Sequence, residues 1–200
     1  MNKNTPVKSR RGISFQNEKS RFRAVTEEIN GNQVKVLKGY PILFDVYGRP
    51  YRGTEWVEKV DKKALDTVDF SKLVLLWDHS TTWPLARVGK NMEATVDDTG
   101  LFIKATLGDT WLDNLVYDRV SKGIVDGMSF WFDMNAMIAT DYENKIDVIT
   151  KINEVYEVSI VVFPAYEETV VITADGTDPV PASAEELKKQ ALLDMLIEVY

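Results

Sequence analysis

Short apolar segments separated by turn residues make up most of the chain from about residue 22 onward, and this pattern favours β-strands over helices. Residues 33–44 largely alternate in polarity and are rich in Val, Leu, Tyr and Phe. Residues 73–77 are all apolar, as is typical of a strand buried on both faces. Further strands are predicted at residues 87–96, 101–107, 124–134 and 155–163. We therefore expect about six or seven strands, with a hairpin turn at residues 97–100.

Two stretches are predicted to be helical. In residues 110–122, apolar side chains recur near helical spacing, and Gly123 follows as a residue type that commonly ends a helix. A second, short helix is predicted at residues 61–67. The fold class that follows is mostly β with helices (α+β), arranged as a strongly curved sheet or a barrel.

Composition changes towards both ends of the chain. Residues 1–20 are polar and locally basic, which predicts a flexible N-terminal arm. Residues 175–183 are typical of a linker, and residues 184–200 carry the apolar stripe of an amphipathic helix. This C-terminal helix either docks on a partner or packs back on its own domain, and the sequence favours neither alternative. Residues 21–174 are left as one globular domain.

Composition also excludes several kinds of chemistry. The chain has 200 residues, no cysteine and a single histidine. Disulfides, thiolate catalysis and cysteine-ligated metal centres are therefore excluded. The net charge of −7 argues against nucleic acid as the main partner. Because there is no long apolar run and no secretory signal pattern, we expect a soluble, cytoplasmic protein that does not contact a membrane.

Three polar residues at or inside apolar strands are candidates for a catalytic role. His79 follows a predicted apolar strand, Ser129 interrupts a second one, and Glu157 interrupts a third. Glu157 shares a strand face with Ser159, two residues further on. Each candidate also has a purely structural interpretation: a satisfied histidine, a serine bonded to a nearby carbonyl, and a carboxylate paired with Arg87.

Together, the three residues supply a nucleophile, a base and an orienting acid. A serine hydroxyl is a poor nucleophile until an adjacent imidazole accepts its proton. A carboxylate beside the imidazole selects its tautomer and stabilises the cation that forms. Because a buried carboxylate needs a partner, a protonated His79 would suit Glu157. We therefore consider Ser129, His79 and Glu157 as a possible hydrolytic triad.

Several motifs follow one another along residues 33–173. They are Gly-Tyr-Pro-Ile-Leu-Phe at 39–44, Trp-Asp-His at 77–79, Pro-Leu-Ala-Arg-Val-Gly at 84–89, Gly-Leu at 100–101, Gly-Met-Ser-Phe at 127–130, Glu-Val-Ser at 157–159 and Phe-Pro-Ala-Tyr at 163–166. This ordered series resembles the prohead protease family of tailed phages, whose fold is similar to that of herpesvirus assembly proteases. The chain departs from many relatives at Ala86, where Gly is common, and at Trp131, where a small residue is common.

The resemblance implies a serine endopeptidase in which Ser129 is the nucleophile, His79 the general base and Glu157 the orienting acid. Asp133 is the alternative acid, because positions 129 and 133 share a strand face. Glu154 is less suitable, since its parity is opposite to that of Glu157.

An oxyanion hole is also implied, and we expect it to use backbone N–H groups near Ala165 and Tyr166. The implied substrates are the scaffold protein, the major capsid protein and the protease itself, cleaved inside the assembling procapsid in the host cytoplasm. The resemblance implies no metal or organic cofactor and is compatible with a homo-oligomer. Two alternatives stay open: an inactive capsid-assembly or scaffold component with the same fold, and an esterase or amidase for small substrates.

Overall fold

The computed structural model of the protein describes residues 9–14, 23–48, 50–51 and 54–162, the first of these segments by its backbone alone. This part of the chain contains twelve strands and one helix, α1 (Trp111–Ser121). The strands are β1 (Ser9–Ser14), β2 (Arg23–Ile29), β3 (Asn32–Leu43), β4 (Val57–Val60), β5 (Val74–Trp77), β6 (Ser80–Arg87), β7 (Met92–Val96), β8 (Gly100–Thr106), β9 (Gly127–Phe132), β10 (Met137–Asp141), β11 (Ile146–Lys151) and β12 (Val155–Val161). The prediction of a mostly β fold is confirmed.

The strands form three sheets. One sheet has five strands in the order β1-β9-β12-β5-β6, one has four in the order β2-β3-β8-β7, and one has three in the order β10-β11-β4. Each sheet ends in two edge strands, as β1 and β6 do in the five-stranded sheet. The described strands are therefore not closed into a barrel, and the barrel alternative of the prediction is wrong.

The structure has more strands than the six or seven expected, because several strands lack an apolar pattern. Strand β10 is mostly exposed, and β6 combines exposed residues with Pro84. The strand predicted at residues 87–96 is divided, since Arg87 ends β6 and a turn containing Gly89 (φ 75°) precedes β7. The hairpin at residues 97–100 is confirmed by the hydrogen bond from Asp97 N–H to Gly100 C=O (3.0 Å).

Helix α1 begins and ends close to where the sequence predicts. Thr110 and Asp113 form a reciprocal capping box, in which each side chain accepts a hydrogen bond from the other residue's backbone N–H. At the other end, Gly123 adopts a φ of 64° and donates to the Val120 carbonyl (3.0 Å). Ile124 donates further back, to Arg119, which completes a Schellman motif.

The helix predicted at residues 61–67 is wrong, because this segment forms consecutive turns. Its backbone hydrogen bonds join residues only three positions apart, such as Ala64 N–H to Asp61 C=O (3.0 Å). The segment nevertheless contributes to the core, since Ala64 and Leu65 are buried.

Part of the predicted N-terminal arm forms a strand. Strand β1 pairs with β9 in antiparallel register, and Gly12 lies opposite Ser129. The backbone of these six residues pairs with the outer edge of β9. The rest of the predicted arm, the linker at 175–183 and the C-terminal helix at 184–200 lie outside the described residues.

One face of the five-stranded sheet packs on the hydrophobic core. Met128, Phe130 and Phe132 of β9 belong to the buried apolar cluster, as do Val158 and Ile160 of β12. The cluster also contains residues of β3, β5, β8 and α1. Because side chains alternate along a strand, the residues between these apolar positions lie on the opposite face of the five-stranded sheet.

Candidate active site

Two neighbouring strands place polar side chains on this second face of the five-stranded sheet. Ser129 on β9 lies directly opposite Ser159 on β12 in the antiparallel register. Glu157 is two residues from Ser159 and shares its face. All three are buried, with exposed fractions of 5% for Ser129, 4% for Glu157 and 0% for Ser159. Cross-strand partners of this kind have Cβ atoms about 5 Å apart, so the two serines are close neighbours.

His79 reaches this face from the hairpin between β5 and β6. Trp77 pairs with Ser80, which leaves Asp78 and His79 as a two-residue turn. Both residues have positive φ values, 52° and 56°, as a type I′ turn requires. Neither residue is Gly, and a non-Gly residue in this left-handed region is strained by about 1–2 kcal/mol.

Two hydrogen bonds donated by its backbone hold the strained turn against β12. The backbone N–H of Asp78 donates to the Ile160 carbonyl (2.9 Å), and the backbone N–H of His79 donates to Ser159 Oγ (3.2 Å). Strands β5 and β12 run parallel at this point, with Leu76 opposite Ser159. The end of β5 therefore brings His79 beside β12, although the two are far apart in sequence.

The imidazole of His79 contacts the carboxylate of Glu157, with 2.7 Å between Nδ1 and Oε1. The other carboxylate oxygen, Oε2, accepts a hydrogen bond from Ser159 Oγ. The structure thus brings two of the predicted residues, His79 and Glu157, into direct contact and places Ser129 on the same sheet face. Arg87, the alternative partner of Glu157, ends β6 with an exposed side chain.

Asp133, the alternative acid, lies just beyond β9 and holds a loop. Its carboxylate accepts hydrogen bonds from the backbone N–H groups of Asn135, Asn153 and Glu154 (2.8–3.0 Å) and from the Asn153 side-chain amide (3.0 Å). Burial opposes ionisation of this group, but these hydrogen bonds outweigh burial and lower the pKa of Asp133. Its contacts therefore favour a structural role, and Glu154 is exposed at the same corner.

Trp131, the bulky residue near the proposed nucleophile, packs edge-to-face on Tyr156 with 5.8 Å between ring centroids. It lies opposite Glu157 in the register and is only partly buried. Ala165 and Tyr166, which we expect to supply oxyanion donors, lie outside the described residues.

Sequence reasoning missed the part that Ser159 plays in this cluster. Its hydroxyl joins the Glu157 carboxylate to the backbone of His79. The signal was limited to one observation, that residues 157 and 159 share a face. The contact with His79 depends on the parallel pairing of β12 with β5, which no local pattern reveals.

The sequence profile of the caudovirus prohead serine protease family matches residues 21–182, well over half of the chain. The chain belongs to this family. This match confirms the predicted family of prohead serine proteases and the predicted role in capsid maturation. Helix α1, the one helix in the described ranges, is too short to cross a membrane.

Among solved structures, that of the bacteriophage T4 capsid assembly protease is similar to this prohead protease. The two sequences are 10% identical, and the match covers 80% of this chain and 98% of that chain with a TM-score of 0.43. Comparison with curated protein sequences gave no significant match.

Proposed function

We propose that this prohead protease is a serine endopeptidase in which Ser129 is the nucleophile, His79 the general base and Glu157 the orienting acid. The observation that carries the proposal is the contact between His79 Nδ1 and Glu157 Oε1 on the sheet face that also bears Ser129. A carboxylate on Nδ1 selects the tautomer in which Nε2 is unprotonated, and Nε2 is then able to accept a proton from serine. This is the arrangement that a serine nucleophile requires.

Two serines lie on this face, and their surroundings distinguish them. The hydroxyl of Ser159 donates to Glu157 and accepts from the His79 backbone, and the residue is completely inaccessible. A hydroxyl whose only proton is held by the acid is not available to attack a substrate. Ser129 retains a small accessible surface, which favours it as the nucleophile.

The proposed reaction is acyl transfer in two stages. Ser129 Oγ forms a bond to the scissile carbonyl carbon while His79 Nε2 takes the hydroxyl proton. The tetrahedral intermediate then breaks its C–N bond, and His79 returns the proton to the departing amine. Water repeats the sequence on the acyl-enzyme, and the Ser129 hydroxyl is regenerated. Glu157 stays ionised throughout and stabilises the imidazolium.

The substrate class follows from the family. We propose that the chain cleaves the scaffold protein, the major capsid protein and itself inside the assembling procapsid of an infected host cell. A fold related to herpesvirus assembly proteases, a homo-oligomeric state and an oxyanion hole near Ala165 and Tyr166 belong to the same proposal. No step of the reaction requires a metal or an organic cofactor.

Co-expression with the major capsid and scaffold proteins tests the proposal. The wild type is compared with Ser129→Ala and with a matched control, Ser121→Ala, which changes a serine at the exposed end of α1. We expect shortened capsid or scaffold protein, detected by intact mass, with the wild type and the control but not with Ser129→Ala. Cleavage by Ser129→Ala would show that the nucleophile is a different residue.

A covalent probe separates the remaining alternatives. A fluorophosphonate should add one phosphonyl group to Ser129 in the wild type, located by peptide mass spectrometry. Labelled protein that hydrolyses small esters but leaves capsid and scaffold proteins intact would support the esterase alternative. Folded protein that neither labels nor cleaves would support an inactive assembly component.

A further inference from the structure

The hydroxyl of Ser159 lies where the acid, the histidine turn and the nucleophile strand meet. We propose that Ser159 is a positioning residue that holds Glu157 and His79 in their reactive arrangement. The inference deepens the proposed function, because it assigns a role to a residue that acts through the triad rather than on the substrate.

The hydrogen bonds of Ser159 determine which carboxylate oxygen of Glu157 contacts His79. A serine hydroxyl has one proton to donate and lone pairs that accept. Here the proton goes to Glu157 Oε2, and a lone pair accepts the backbone N–H of His79 (3.2 Å). Glu157 Oε1 is then left to accept from His79 Nδ1 (2.7 Å). Ser159 thereby fixes both the carboxylate and the backbone of the residue that the carboxylate orients.

The turn that carries His79 needs such a restraint. Asp78 and His79 both have left-handed backbone conformations, which the surrounding structure has to maintain. Two backbone N–H groups of this turn donate hydrogen bonds to β12, and Ser159 Oγ accepts one of them. Without this oxygen, the described backbone of the turn keeps the bond from Asp78 N–H to the Ile160 carbonyl, and the His79 side chain keeps its contact with Glu157. The imidazole would then be freer to leave the Glu157 carboxylate.

The position of Ser159 in the sheet argues for a role in the site rather than in packing. Its apolar neighbours Val158 and Ile160 face the core, whereas Ser159 faces the triad side. It also lies directly opposite Ser129, so a change at Ser159 acts beside the nucleophile as well as at the acid.

The first test measures labelling of Ser129 by a fluorophosphonate in the wild type, Ser159→Ala and the control Ser121→Ala. We expect Ser159→Ala to lower the labelling rate constant at saturating probe by about 10- to 100-fold, the range that the loss of an outer hydrogen-bond partner typically has at metal-bound histidines. The probe concentration at half-saturation should stay within about twofold. A rate constant within about twofold of the wild type, in folded protein, would overturn the proposal.

A double-mutant cycle with Glu157→Gln separates positioning from a purely structural effect. If Ser159 acts through Glu157, the double variant Ser159→Ala/Glu157→Gln should label scarcely more slowly than Glu157→Gln alone. Fully additive losses would instead show that Ser159 does not act through the acid, and the proposal that it positions Glu157 would be wrong.

A second measurement does not depend on activity. Because His79 is the only histidine, ¹⁵N-histidine labelling reports on this imidazole without assignment. We expect the wild type to show the Nδ1-protonated tautomer with a slowly exchanging Hδ1, and Ser159→Ala to lose that protection. Unchanged imidazole signals in Ser159→Ala would overturn the positioning role. If Ser129 is not labelled in the wild type but the imidazole signals change as expected, the proposed catalysis fails while the positioning contact stands.

Discussion

At the residue scale, the contact between His79 and Glu157 makes the strongest prediction. Glutamine at position 157 has nearly the shape of glutamate, but its amide N–H₂ would face Nδ1 and force that nitrogen to accept. The proton would then lie on Nε2, where it blocks transfer from Ser129. We expect Glu157→Gln to lower kcat for capsid-protein cleavage by about four orders of magnitude, as in other serine hydrolases that lose the orienting acid.

The matched control for this prediction is Glu154→Gln, an identical change at an exposed position just before β12. Its kcat should stay within about twofold of the wild type, as is usual for an exposed polar substitution away from the reacting groups. Glu157→Gln protein that folds and retains more than about a tenth of wild-type kcat would show that another group orients His79.

The predictability of the site differs from residue to residue. Glu157 was identifiable from sequence because a carboxylate inside an apolar strand requires a partner, and the chain offers one histidine. Ser159 was not, because a serine in a strand is compatible with many environments. Its role depends on pairing with both β9 and β5, and such long-range register leaves no local signature.

At the scale of the element, the turn between β5 and β6 should tolerate glycine and reject branched side chains at position 78. Asp78 has a φ of 52°, a conformation that Gly adopts freely and Val does not. We expect Asp78→Val to lower the free energy of unfolding by about 1–3 kcal/mol, measured by urea denaturation, and to reduce cleavage by displacing His79. Asp78→Gly removes the same carboxylate but should change neither quantity strongly.

A second change at the same hairpin controls for the loss of polarity. Thr81 lies on β6, two residues after His79, and is exposed. Thr81→Val introduces the same side chain without a positive φ, so stability and cleavage should both be close to the wild type. Equal losses from Asp78→Val and Asp78→Gly would mean that the carboxylate matters rather than the backbone.

The hairpin between β7 and β8 depends on Gly100 for a different reason. A Cβ atom on Gly100 would lie 1.9 Å from the Ile42 carbonyl oxygen on β3, and its φ of 156° is also unfavourable for other residues. The obstacle is backbone, so it cannot rotate away. We expect Gly100→Ala to lower the free energy of unfolding by about 3 kcal/mol or more.

Gly31 is the matched control for Gly100, because it also has a positive φ (79°) but has open space around its Cβ position. Gly31→Ala should cost only about 1–2 kcal/mol of backbone strain in the same urea experiment. A loss at Gly100 no larger than that at Gly31 would show that β3 can move away from the added methyl group.

Helices and strands with a clear local sequence pattern were predicted well, and those without one were missed. Helix α1 has a capping box and a terminal glycine, and both ends were predicted within a residue or two. Strands β10 and β11 are mostly exposed or only partly buried, so they lack the apolar pattern that identifies a strand. The helix predicted at residues 61–67 had little local support, because the segment contains only two apolar residues, Ala64 and Leu65, and consecutive turns bury both of them.

At the scale of the whole molecule, the site exists only when distant segments meet. His79 and Glu157 are 78 positions apart, and the sheet that joins them orders its strands β1-β9-β12-β5-β6. Such non-local pairings form slowly, because the entropy cost of closing long loops is paid before the contacts form. One contact that supports this sheet lies at the corner where β9 ends and β12 begins. There the Asp133 carboxylate accepts four hydrogen bonds.

This corner should make the stability of the protein sensitive to acid. The hydrogen bonds to Asp133 lower its folded-state pKa below the unfolded value of about 3.9. The resulting stabilisation is complete above about pH 5 and is lost as the pH falls through the folded-state pKa. Asp97 contributes to the same loss of stability in acid. Burial opposes its ionisation, but hydrogen bonds from Tyr40 and from the hairpin backbone outweigh burial and lower the pKa of Asp97.

Asp133→Asn should therefore destabilise the protein in a pH-dependent way. At pH 7 we expect a lower urea midpoint than for the wild type, because an amide cannot accept the same four hydrogen bonds as a carboxylate. Between about pH 5 and pH 3 the two midpoints should converge, since the wild type loses its ionised carboxylate and the variant has none to lose. Asp98→Asn, at the exposed hairpin, should match the wild type at every pH. A difference between Asp133→Asn and the wild type that stays constant down to pH 3 would show that Asp133 stabilises the corner by its shape rather than by its charge.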